Sequence, residues 1–61
     1  MNYIYIELKP GKTNDFTDML GNNGIAFDYL SYRTIILRKD DFNLLGRDLI
    51  SSFASKIVSL W

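Results

Sequence analysis

Residues 2–9 read NYIYIELK, and this stretch decides the fold that the sequence predicts. Read as a strand, it places Ile4, Ile6 and Leu8 on one face, with polar and aromatic side chains on the other. Such alternation with a period of two is typical of a strand that buries one face. Pro10 has no backbone N–H to donate and therefore ends the strand. We predict that the chain begins with a half-buried strand.

A short helix and two further strands are predicted next. Phe16, Met19 and Leu20 recur at spacings of three and four, and residues 21–24 (GNNG) favour a helix end. Residues 25–39 are rich in aromatic and β-branched side chains, which predicts two strands with a turn near residues 30–33. This turn contains no Gly, Pro or Asn, so a single long strand exchanged between protomers is an alternative interpretation.

The strongest periodicity lies beyond Asp41. Apolar residues recur there at spacings of three and four, namely Phe42, Leu45, Leu49, Phe53, Ile57 and Leu60. This pattern predicts a long C-terminal helix, inside which Gly46 is tolerated at a cost of about 1 kcal/mol. The alternative is a terminal strand over residues 56–61, which would complete the order β-α-β-β-α-β.

Together these segments predict one α+β domain over residues 1–61 with the order β-α-β-β-α. A three-stranded, mainly antiparallel sheet packs one face against the short helix and the long C-terminal helix. The order resembles a truncated ferredoxin-like topology of the kind seen in small regulatory ligand-binding domains. Topology alone assigns no function.

The composition limits how such a small domain is stabilised. A 61-residue core rarely supplies more than about 3–5 kcal/mol, and this chain has no Cys for a disulfide and neither Cys nor His for structural zinc. We therefore predict a homodimer or larger oligomer, formed through the other sheet face or the spare side of the long helix. No apolar run reaches the length of a membrane span and no signal peptide is visible, so we expect no membrane partner and a cytoplasmic location.

Catalytic and metal chemistry are poorly supported by the residues present. The chain lacks His and Cys, the side chains best suited to acid–base and nucleophilic work near neutral pH. Its seven carboxylates are predicted to cap helices or to face solvent, without the spacing of a calcium loop. We predict no catalytic residue, no metal site and no cofactor.

The aromatic content points instead to a contact surface. Four Tyr, four Phe and one Trp are too many for the buried side of so small a sheet, and Tyr and Trp are enriched in protein interfaces. The predicted contact residues are Tyr3, Tyr5, Tyr32, Ile36 and Trp61. The sequence thus predicts a non-enzymatic interaction module that modulates or inhibits another protein, in the style of small accessory or virus-encoded inhibitors.

Two alternatives from other classes stay open. The first is a dimeric nucleic-acid-binding protein, because Tyr5 faces outward as aromatics do in RNA-recognition sheets and because Lys9, Arg33, Arg38 and Lys39 could form a small basic patch at one sheet end. The balanced charge, seven basic against seven acidic residues, makes this alternative less favoured. The second is a small-ligand sensor with a pocket at the dimer seam.

Overall fold

The computed structural model describes residues 3–60, apart from the side chain of Leu60, and places the first strand inside a four-stranded sheet. The elements are β1 (Tyr3–Leu8), α1 (Thr13–Asn22), β2 (Asp28–Ser31), β3 (Thr34–Arg38), α2 (Lys39–Leu45), α3 (Arg47–Ser51) and β4 (Ala54–Leu60). The strand order is β2-β3-β1-β4, and every neighbouring pair is antiparallel. The predicted α+β class is confirmed, but the sheet has four strands where the sequence predicted three.

Strand β1 buries the face that its alternation predicts. Ile4, Ile6 and Leu8 are at most 2% exposed. The same core contains Ile35 and Leu37 of β3 together with the buried side chains of the three helices, which are Phe16, Leu20, Phe42 and Ile50. Complete burial of an aliphatic or aromatic side chain contributes roughly 1.5–3 kcal/mol each, so this single cluster holds the helices on one face of the sheet.

The two strands predicted over residues 25–39 form a hairpin within one chain. β2 pairs with β3, and the turn falls at residues 32–33, inside the predicted window. A register shift between Tyr29 and Ser31 lets Leu30 bulge out of the pairing. The exchanged long strand considered as an alternative is therefore not the arrangement adopted by this chain.

The predicted long C-terminal helix is wrong. Two short helices occupy its first part, and they are separated at Gly46, whose φ of 93° and ψ of 140° lie outside helical geometry. Residues other than glycine rarely adopt a positive φ, so Gly46 marks a break between the two helices. The second helix ends at Ser51, and the Ser52 hydroxyl donates to the Leu49 carbonyl at 2.6 Å.

The chain then reverses into β4, which is the terminal strand considered as the alternative. Ala54–Leu60 pairs along the free side of β1, and Trp61 lies outside the described residues. β1 thereby gains a partner for the backbone groups that a three-stranded sheet would leave at an edge. The completed order is β-α-β-β-α-α-β, which is the order of the ferredoxin-like, split βαβ motif with its second helix divided into α2 and α3.

Candidate interaction surface

Among residues 3–60, the helices pack on one face of the sheet only, and the opposite face, which we call the open face, presents a central row of side chains. Tyr5 on β1 lies opposite Ile36 on β3 and opposite Val58 on β4. Residues directly opposite each other in an antiparallel pair share a face, with Cβ atoms about 4.5–5.5 Å apart. Tyr3 lies two residues from Tyr5 and therefore also projects onto the open face. The four side chains form one continuous aromatic and aliphatic surface.

Charged side chains surround this apolar centre. Arg38 lies opposite Tyr3, Asp28 lies opposite Ile36, and Glu7 lies opposite Lys56. The Ser55 hydroxyl is 3.3 Å from Glu7 Oε1, which fixes this carboxylate at the side of the surface. Two acids and two bases balance one another on the open face, so its rim is polar without a net charge.

Three of the five predicted contact residues come together here. Tyr3, Tyr5 and Ile36 are neighbours on the open face, and each is partly buried. Tyr32 is 77% exposed and lies in the β2–β3 turn, beyond the end of this surface. Trp61 lies outside the described residues. The hairpin turn thus separates Tyr32 from the other three.

Val58 is an open-face residue that the sequence did not predict there. It was assigned to the long helix, yet in β4 it is 37% exposed beside Tyr5. A strand over residues 56–60 puts Lys56 and Val58 on one face and Ile57 on the other. The alternative interpretation of this segment as a strand separates the two faces in this way, whereas the position of Val58 beside Tyr5 comes from the pairing of β4 with β1.

The four basic residues of the nucleic-acid alternative do not meet at one end of the sheet. Lys9 and Arg33 lie at the end that carries the β2–β3 turn, where Arg33 Nε donates to the Leu8 carbonyl at 3.2 Å. Arg38 and Lys39 lie at the other end of β3, about 17 Å away at roughly 3.3 Å per residue. Arg38 Nε contacts Asp41 at 3.3 Å. The four basic side chains are therefore divided into two pairs at opposite ends of the sheet.

Two of the grooves lined by the described residues adjoin aromatic side chains of the sheet and its hairpin. One, of about 540 Å³, lies between the start of α1 and the β2–β3 hairpin, where Thr13 and Asn14 face Tyr29, Tyr32 and Arg33. The other, of about 300 Å³, runs along the side of the open face, where Tyr3 and Ile36 meet Phe27 and Asp28. The second groove extends the apolar surface toward β2.

The part of the chain that the structure describes contains no cluster of metal-ligating side chains and no helix that could span a membrane. No three acidic side chains there converge on a possible metal site, and none of its buried side chains is polar or charged. None of its helices has the length and apolar character needed to cross a membrane.

Comparison of the chain with protein-family models, with curated proteins and with solved structures finds no match.

Proposed function

We propose that this protein is a non-enzymatic interaction module that modulates, by inhibition, another protein bound to the open face. The observation that carries the proposal is the register that places Tyr3, Tyr5, Ile36 and Val58 side by side on three adjacent strands, on the face opposite the helices. Protein interfaces typically have such an aromatic and aliphatic centre, from which charged residues are depleted, and a polar rim.

The chemistry of the centre supports a protein partner. Each tyrosine offers a flat apolar ring and a hydroxyl that can form a hydrogen bond with a partner, and it has only two side-chain torsions to order on binding. The strands hold Tyr5 between Ile36 and Val58, so little conformational entropy is lost when the surface is covered.

The test compares one tyrosine on each face of the sheet. Proteins captured by the immobilised chain are identified and purified, and their dissociation constants are measured for wild type, Tyr5→Thr and Tyr29→Thr. Tyr29 lies opposite the core residue Ile35 and is 55% exposed, so its replacement is the same chemical change off the open face. We expect Tyr5→Thr to cost about 2 kcal/mol, roughly thirtyfold in Kd, and Tyr29→Thr to leave Kd unchanged.

Inhibition is measured on the activity of the purified partner. The wild-type chain and Tyr29→Thr should inhibit at equal concentrations, whereas Tyr5→Thr should need about thirty times more. A partner bound equally well by Tyr5→Thr would place the contact elsewhere and refute the proposal.

A second candidate is the binding of single-stranded nucleic acid to the same face. It is favoured by Tyr3 and Tyr5, which stand two residues apart on an inner strand of a four-stranded sheet, with Arg38 opposite Tyr3. RNA-recognition sheets stack bases on aromatics placed in this way. Glu7 and Asp28 on the same face oppose it, because they repel phosphates.

Fluorescence anisotropy with labelled single-stranded RNA and DNA distinguishes the two candidates. Stacking on Tyr5 predicts a loss of about 1–3 kcal/mol in Tyr5→Thr, together with binding that weakens steeply as salt is added. Absence of binding at low salt would remove nucleic acid and leave the protein partner.

A further inference from the structure

The two edge strands of the sheet differ in how well they are protected against pairing. β2 has only four residues, carries Asp28 and is interrupted by the bulge at Leu30. β4 has seven residues, and its irregularity lies at its beginning, near Ser55, opposite the step from Glu7 to Leu8. Short length, charge and bulges are the usual means by which proteins prevent edge pairing. Residues 57–60 of β4 contain none of them.

The register identifies which backbone groups of β4 point away from the sheet. The Leu8 N–H donates to the Arg33 carbonyl at 2.7 Å, so Leu8 directs its backbone groups toward the β3 side. Successive residues alternate sides, and Tyr5 therefore bonds with Val58 on β4. Ile57 and Ser59, the neighbours of Val58, must direct their N–H and C=O groups outward.

We propose that this edge pairs with the same edge of a second copy of the chain, antiparallel and about a two-fold axis at Val58. Ile57 of each copy then lies opposite Ser59 of the other. Each copy contributes two N–H and two C=O groups, which gives four hydrogen bonds between the copies. The two sheets become one sheet of eight strands.

The β4 edge is complementary to itself, which favours a second copy of the chain as its partner. Lys56 is the single charged residue of β4, and an axis at Val58 places the two Lys56 residues at opposite ends of the new pairing. An axis at Ile57 would instead recruit Ser55, which lies at the irregular start of the strand and whose hydroxyl already donates to the Glu7 carbonyl at 3.2 Å. The axis at Val58 uses every outward group of residues 57–59.

This pairing also enlarges the open face. The β1 strands of the two copies are separated by three strand spacings of about 4.8 Å, so their Tyr5 side chains lie about 14 Å apart on one continuous face. The pairing itself uses edge backbone groups and leaves the centre of each open face accessible. It therefore does not depend on the identity of the partner proposed above.

Opposite charges at the axis test the register. Val58 lies opposite Val58 of the second copy, so Val58→Lys and Val58→Glu should each weaken dimerisation at least about tenfold, because like charges face each other. An equimolar mixture of the two variants should recover the dimer. The measurement is sedimentation equilibrium over a concentration series, in which wild type approaches twice the chain mass of 7.1 kDa.

A second variant changes only the edge. Ser59→Pro removes an outward N–H while the pairing of β1 with Val58 is kept, and circular dichroism reports whether the fold is retained. We expect a folded monomer, and Leu30→Lys on the protected β2 edge should remain dimeric. The proposed function predicts that monomeric Ser59→Pro still binds the protein partner.

Three results would overturn the proposal. They are a wild type that is monomeric throughout the series, a mixture of the two charged variants that stays monomeric, and a dimer that dissociates with Tyr5→Thr but survives Ser59→Pro. The last result would assign the dimer contact to the open face.

Discussion

Replacement of Gly46 by alanine has opposite expected effects in a continuous helix and in the observed structure. In a helix interior, alanine is favoured over glycine by about 1 kcal/mol, so the long helix predicted from periodicity would be stabilised. In the structure, Gly46 has a φ of 93° and a ψ of 140° between α2 and α3. An L-residue forced into such a sparsely populated region costs on the order of 1–3 kcal/mol.

The cost expected for alanine at position 46 comes from the backbone conformation and not from a steric clash. A Cβ built on Gly46 meets no atom within 4 Å, so no clash adds to the backbone cost. A domain of this size has only about 3–5 kcal/mol of stability, so the substitution should remove a large share of it. With a urea m-value near 1 kcal/mol/M, the unfolding midpoint should fall by about 1–3 M.

Gly21 provides the matched control for this measurement. It lies within α1 at a φ that is not positive, and an added Cβ also meets no atom within 4 Å. Gly21→Ala should therefore raise the free energy of unfolding by about 0.5–1 kcal/mol. Urea unfolding followed by circular dichroism measures both variants. An increase in stability for Gly46→Ala would refute the break between α2 and α3.

Three further substitutions test the core and the surface. Ile6→Ala removes a side chain that is 0% exposed and should cost about 2–5 kcal/mol, enough to leave much of the protein unfolded by circular dichroism at 25 °C. Phe16 and Phe53 have ring centroids 5.5 Å apart. A double-mutant cycle with leucine at each site, followed by urea unfolding, should give a coupling free energy of about 0.5–1.5 kcal/mol. A coupling of zero would mean that the rings do not interact. Asp41→Asn breaks an ion pair in which Arg38 is 66% exposed, so it should change the thermal midpoint little, and a large fall would show that the pair is worth more than a surface contact.

The candidate surface was predictable where it depends on local alternation. The period of two in β1 places Tyr3 and Tyr5 on the face opposite Ile4 and Ile6, whatever the rest of the chain does. Ile36 follows from the same rule in β3. Val58 could not be placed from local alternation, because its position beside Tyr5 depends on the pairing of the C-terminal strand β4 with the N-terminal strand β1.

The sequence by itself determined β1 and α1, because alternation and helical spacing specify them. It predicted two strands over residues 25–39, but their pairing as a hairpin within one chain is seen only in the structure. The sequence left residues 56–61 open, since Ile57 and Leu60 continue the helical period of Phe53 while the same segment could also form a terminal strand. Only the tertiary structure decided between them. β1 pairs with β3 on one side, and the backbone N–H and C=O groups that β1 directs away from β3 need hydrogen-bond partners. Among the described strands, only β4 supplies them.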